Sequence, residues 1–119
     1  MIQPGSLSAL SEALQQFADE RDWQQFHSPK NLAMALTVEA AELQEHFQWL
    51  SEKQSRDLDN NVRIKVRQEI GDVMNYLIRL ADQLEIDLVD AATDKVEENK
   101  RKYPAEIVKG SSKKYTEYN

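Results

Sequence analysis

LTVEAAELQEHFQWL, residues 36–50, and VRQEIGDVMNYLIRLA, residues 66–81, decide the fold. At about 100° per residue, Leu32, Leu36, Ala40, Leu43, Phe47 and Leu50 share one arc of a helix. Val62, Val66, Ile70, Val73, Leu77 and Leu80 repeat that arc at an offset of 30 residues. Each stripe carries two acids three residues apart, Glu39 with Glu42 and Glu69 with Asp72. The first acid of each pair falls inside the edge of the arc and the second lies beside it. The two segments read as an internal helical repeat.

SEKQSRDLDN, residues 51–60, is polar and without period, and reads as the turn between the repeats. So short a connection favours antiparallel neighbours. In such a hairpin the pairs Glu42/Glu69 and Glu39/Asp72 share a midpoint between residues 55 and 56, so the four carboxylates converge at one level. One glutamate on a helix is ordinarily a solvated surface acid. Four at matched positions on apolar stripes are too costly to desolvate without a counter-charge. An all-oxygen donor set without thiolate or histidine suits Mg²⁺ or Mn²⁺ better than Zn²⁺. The rival di-iron bundles use Glu-x-x-His, whereas His46 follows Glu42 by four residues and Asp72 has no such partner.

The remaining chain sets the frame. Its 119 residues are enough for one domain with a modest core. Three Gly, three Pro and 30% charged residues suit a mostly helical protein. There is no cysteine, which excludes disulfides, thiolate metal sites and cysteine nucleophiles. No apolar run approaches the roughly 20 residues of a membrane span, and the start of the chain lacks the basic and apolar regions of a signal peptide. These readings predict a cytoplasmic protein with no membrane partner. A net charge of −6 argues against a nucleic-acid polymer as partner. Residues 95–114 nevertheless carry a net +4, leaving −10 on the rest. That segment is either a plain basic terminus or a grip on a small phosphate-bearing ligand.

In chain order, Ser6 or Ser8 caps a first helix running to about Asp22 with Leu7, Leu10, Leu14 and Phe17 as its apolar line. Trp23 to His27 is an aromatic loop. Ser28-Pro29 opens the second helix, expected to end near Trp49-Leu50. The third spans about Asn61 to Leu84, with Gly71 inside it at a cost of about 1 kcal/mol against Ala, placed to let a neighbour approach the acids. Asp87 caps a fourth helix, 88–102, ended by Tyr103-Pro104. Its face of Leu88, Ala91, Ala92, Lys95 and Asn99 puts a cation and an amide where core is expected. Lys95 there is either a salt-bridge partner or a phosphate ligand. Trp23, Phe26, His27, Trp49 and Tyr76 flank the acid pairs and read either as core or as a base-stacking pocket. The expected fold is all-α: four helices per protomer around a central antiparallel hairpin, whose uncovered apolar surface calls for an oligomeric bundle.

Glu39-x-x-Glu42 followed by Glu69-x-x-Asp72 resembles the MazG-type all-α nucleoside triphosphate pyrophosphohydrolases. RDWQQFHSPKNLAMALTVEAAELQEHFQW, EIGDVMNYL, the KYP at 102–104 and SSKKYTE at 111–117 resemble the dCTP pyrophosphatase branch in particular. The resemblance covers roughly residues 17–117. It implies Mg²⁺-dependent hydrolysis of a (deoxy)nucleoside triphosphate to the monophosphate and pyrophosphate, with dCTP preferred, as house-cleaning of the nucleotide pool. Water would attack the α-phosphorus in line. It assigns Glu39, Glu42, Glu69 and Asp72 to metal binding and catalysis, Trp23, His27, Trp49 and Tyr76 to the base, and Lys95, Asn99 and the Arg101–Lys102 region to the phosphates. It also implies a tetramer built as a dimer of dimers, a pyrophosphohydrolase domain over 1–104, and a mobile basic tail over 105–119 that closes on the triphosphate. The 51–60 loop departs from the family pattern in being shorter and free of glycine and proline. Rival readings are a dUTP or phosphoribosyl-ATP pyrophosphohydrolase, and a non-catalytic helical oligomer that binds nucleotide or metal.

Overall fold

The computed structural model describes residues 5–112 and 116, and these carry helices and no strand. Four long helices form where caps and periodicity predict them. α1 is Leu7–Glu20, α2 is Pro29–Glu45, α4 is Asn60–Gln83 and α5 is Leu88–Lys102. Each begins on a side chain that accepts from a backbone N–H left without a partner in the first turn: Ser6 from Ala9 at 3.1 Å, Ser28 from Asn31 at 3.2 Å, Asp59 from Val62 at 3.0 Å and Asp87 from Asp90 at 2.9 Å. Each cap stabilises its helix by about 1 kcal/mol.

Three short elements differ from the sequence reading. The polar 51–60 connection holds a one-turn helix, α3 (Glu52–Ser55), closed by a capping box. Gln54 N donates to Ser51 Oγ at 3.1 Å and Ser51 N donates to Gln54 Oε1 at 2.9 Å. One turn has no period to read, although the S-x-x-Q signature was there. Residues 24–26 form a 3₁₀ turn, and Ala105–Val108 form a second one-turn helix, α6. α2 stops at Glu45 rather than at Trp49-Leu50, because the chain tightens there: His46 N donates to the Leu43 carbonyl and Phe47 N to that of Gln44.

The chain forms two compact units, divided between Glu85 and Ile86. In the first, α2 packs along α4 and α1 packs on α4. The hairpin is antiparallel, since Glu39 meets Asp72 while the later His46 meets the earlier Glu69. Ala18, Leu32, Val66, Ile78 and Ala81 are buried, a small core. Ala40 and Ile70 do not join it. Both are exposed, Ile70 by 54%, while the adjacent Glu39 and Glu69 are partly covered. The helices are thus rotated so that the acids, not the neighbouring apolar residues, face the hairpin. Apolar side chains remain outside on both helices, with Met34 59%, Val38 56% and Ile64 49% exposed. Among the described residues nothing lies within 4 Å of a Cβ placed on Gly71, so the close approach expected there does not occur within this chain.

In the second unit, α5 has no buried residue and ends in a basic last turn, with Tyr103 at its C-cap. The tail motif SSKKYTE falls largely outside the described residues.

Candidate functional site

Glu39, Glu69 and Asp72 each bring a carboxylate oxygen to within 4.8 Å of the others. Their placement follows from helix geometry. Glu69 and Asp72 stand three residues apart on α4, hence on one face, and the antiparallel hairpin sets Glu39 of α2 opposite them. Glu42 lies on the same face, one turn on from Glu39. Glu39 is raised from 4.5 to about 7, first by loss of hydration and then by Glu42, with Asp72 and Glu69 adding to it. One oxygen of Glu39 and one of Glu69 are buried without a hydrogen-bond partner. Two orphaned carboxylate oxygens among crowded anions are what a divalent cation satisfies, so this all-oxygen donor set fits Mg²⁺ or Mn²⁺. His46 Nε2 stands 3.9 Å from Glu69 Oε1, at the edge of the group.

Next to the acids is a cavity of about 370 Å³, which Asp72 also lines. A reversed turn builds its aromatic wall. Asp22 adopts φ +54°, the left-handed region, just past the end of α1. Trp23 N then donates to the Ala18 carbonyl at 2.9 Å and Asp22 N to that of Asp19 at 3.1 Å. This pair of bonds is a Schellman closure. It folds Trp23 back onto α1, where its ring meets Phe17 edge to face at 5.6 Å. His27 follows at 6.3 Å from Trp23. Its Nδ1 is buried without a partner. Its pKa is held below 6.5 by burial and by the charge of Arg79, which favours the neutral imidazole. Tyr76, one turn past Asp72 on α4, lines the same cavity.

The structure therefore brings Trp23, His27 and Tyr76 together beside the acids. Trp49 is not among the lining residues and stands 87% exposed, and Phe26 is 59% exposed. Lys95 and Asn99 are exposed on α5, in the second unit. Lys95 Nζ is 2.7 Å from Glu98 Oε2, and Lys102 Nζ is 3.0 Å from Glu98 Oε1. The two ammonium groups bring Glu98 down to about 2.

Two polar lining residues escaped the sequence reading, Asn75 and Arg79. The signal for Arg79 was present: it lies seven residues past Asp72, on the same face, in a run otherwise apolar from Leu77 to Ala81. Arg79 is only 4% exposed.

The sequence matches the model of the MazG-like family over residues 34–118. It is 42% identical over 104 residues to human dCTP pyrophosphatase 1, and 40% identical over 104 residues to the mouse protein of that name. Each alignment covers 86% of this chain but 61% of the relative, so the chain spans about three-fifths of the length of these curated relatives. The crystal structure of a pyrophosphatase from Archaeoglobus fulgidus superposes with a TM-score of 0.78 at 40% identity, covering 82% of this chain and 92% of that one. With most of its length matched by the family model, and with these relatives, the chain belongs to the MazG-like family.

Proposed function

We propose that this chain hydrolyses (deoxy)nucleoside triphosphates, dCTP foremost, to the monophosphate and pyrophosphate. The observation that carries the reading is a cluster of three carboxylates next to a cavity of about 370 Å³, with Asp72 belonging to both. Two of its relatives bear the name dCTP pyrophosphatase 1, which supports the substrate class.

Glu39, Glu42, Glu69 and Asp72 would hold Mg²⁺, with Mn²⁺ as a substitute. Bound there, the ion would neutralise the triphosphate and polarise the α-phosphoryl oxygen. The protein's own residues do the positioning. Trp23 and Tyr76 present flat faces for the base, and His27, kept neutral, offers a hydrogen-bonding edge beside them. Trp49, exposed outside this cavity, offers a further stacking surface. Lys95 and Asn99 are assigned to phosphate oxygens, Lys95 exchanging Glu98 for one of them. Water gives a proton to one of the glutamates and forms a bond to the α-phosphorus in line, the bond from that phosphorus to the α–β bridging oxygen breaks, and pyrophosphate leaves with that electron pair. Desolvation inside the cavity strengthens each of these polar contacts.

The half-exposed Met34, Val38 and Ile64 on the hairpin helices support a homotetramer, arranged as a dimer of dimers. We place the activity in the cytoplasm, in keeping with a chain free of cysteine. Among the described residues no helix is long and apolar enough to cross a membrane.

Pyrophosphate release from a panel of dNTPs and NTPs, with and without Mg²⁺, tests the reading. Metal-dependent release, fastest with dCTP, is the expected outcome. A folded protein that binds Mg²⁺ and releases pyrophosphate from none of them overturns it.

A further inference from the structure

Arg79 is a buried cation with no acid beside it. Among the described residues its guanidinium forms no ion pair. Its one hydrogen bond runs from Nη2 to Gln24 Oε1, at 2.7 Å. That oxygen also accepts from Gln83 Nε2 at 3.1 Å, so both of its lone pairs are used. Gln24 in turn donates from Nε2 to Asp19 Oδ1 at 2.8 Å, which fixes the amide's orientation. The chain Asp19–Gln24–Arg79 therefore clamps one edge of the guanidinium and leaves the rest of its donors free. Arg79 Nε is buried and has no partner.

A guanidinium cannot shed its charge, and burying one half-satisfied is costly. Within the fold that cost has no evident return, because the side chain pairs with no carboxylate and lies at a cavity whose wall is mostly apolar, Leu10, Leu14, Phe17, Trp23 and Tyr76 among it, with Asp72, His27 and Asn75 as its other polar groups. A mostly apolar cavity with a few fixed polar groups is the form of a small-molecule site in which the polar groups set orientation. Arg79 lies on α4 seven residues from Asp72, about 10.5 Å along the axis at 1.5 Å per residue. The acids mark the phosphate end of the cavity, and Arg79 stands at the other.

We propose that Arg79 is a specificity-determining residue whose guanidinium donates to a ring carbonyl oxygen of the base, selecting nucleotides that carry one over those that do not. This rests on the nucleotide reading of the cavity given above. Cytosine, uracil, thymine and guanine all present a ring carbonyl, and adenine presents none. A site built to meet an acceptor rejects the analogue lacking it, since its own buried donor is then left unpaired. Stacking on Trp23 and Tyr76 is tolerant of base identity, so Arg79 supplies what the rings do not.

The test compares kcat/KM for dCTP, dTTP, dGTP and dATP in the wild type and in Arg79→Met, which keeps length and removes every donor. The preference for the three carbonyl-bearing substrates over dATP should fall by about 10- to 100-fold, the scale on which a hydrogen bond to a base edge discriminates. A loss equal across all four, or no loss, overturns the assignment. Should Arg79→Met fail to fold, Arg79→Lys keeps the buried charge without the planar fork. The preference then falls if the fork reads the carbonyl, and its persistence overturns the proposal. Calorimetric binding of dCMP and dAMP in EDTA separates this inference from the activity itself. If the wild type releases no pyrophosphate yet binds dCMP more tightly than dAMP, and the Arg79 variant loses that difference, the carbonyl readout stands while hydrolysis falls. Equal binding of the two monophosphates by the wild type overturns the readout.

Discussion

Glu39 in the hairpin and Glu98 on α5 are the same residue type on helices of similar make, and the fold drives their acidities apart. Glu39 rises to about 7, among other acids and short of water. Glu98 falls to about 2, gripped by Lys95 and Lys102. On α5 both glutamates have a cation three or four residues away, Lys100 serving Glu97 at 3.0 Å, and the helix itself settles their charge. Across the hairpin no lysine or arginine is paired with Glu39, Glu69 or Asp72 among the described residues. Charge that a helix neutralises locally needs nothing further to be satisfied. Charge gathered from two helices without a counter-ion leaves a demand that a cation from outside can meet.

The largest break in that contrast comes from removing an acid. Glu42→Gln or Asp72→Asn should abolish pyrophosphate release, a fall of at least about a hundredfold, while circular dichroism shows the helices intact. A variant that unfolds instead would make these acids part of the scaffold and erase the difference between the two regions.

The dependence on pH is smaller and opposite in sign for the two sites. Because the pKa of Glu39 is raised on folding, that carboxyl binds more proton in the metal-free folded protein than in the unfolded chain between pH 4.5 and about 7. Its contribution to stability is therefore lost as the pH rises through that window, while His27, held below 6.5, works the other way. Mg²⁺ should restore it at pH 7 and do less at pH 5, where protons compete for the same oxygens. Glu98, depressed, works the other way. Its contribution is present above the unfolded value of 4.5 and is lost as the pH falls toward 2, and salt should weaken it because the pair is exposed. Thermal melts in EDTA and in Mg²⁺ across pH 5 to 8 read the Glu39 effect. A melting temperature in EDTA whose pH dependence is the same in Glu39→Gln as in the wild type would show Glu39 to be an ordinary surface acid.

The smallest effect sharpens the contrast from the α5 side. Lys95→Met should leave the melting temperature nearly unchanged, since exposed ion pairs contribute little, and raise KM for the triphosphate by about tenfold, the equivalent of one charged contact of about 1.4 kcal/mol. An unchanged KM would confine Lys95 to its bond with Glu98.

Much of this was legible in residue order. The caps Ser28 and Asp87 and the repeated stripes gave the long helices because a cap and a 3.6-residue period are local properties. The one-turn helices α3 and α6 escaped because a single turn has no period. The four acids could be named because their spacing mirrors across a hairpin. The structure went further, showing that Glu39 and Glu69 face inward where Ala40 and Ile70 face out. Helix rotation is set by packing of the whole hairpin, and a stripe's edge is ambiguous by one residue. Trp23, His27 and Tyr76 could be suspected singly, but the reversal at Asp22 that gathers them, a left-handed residue without glycine, had no sequence signal. Arg79 shows the division most clearly. Its position on the acid-bearing face of α4 follows from counting. Its burial, its bond to a residue 55 positions away and its unpaired Nε are decided only when α1, the aromatic turn and α4 close on one another. Sequence thus determined the elements and the charge they carry, through interactions a few residues long. Tertiary structure decided which charges lose their water and their partners, because desolvation depends on what the rest of the chain brings near.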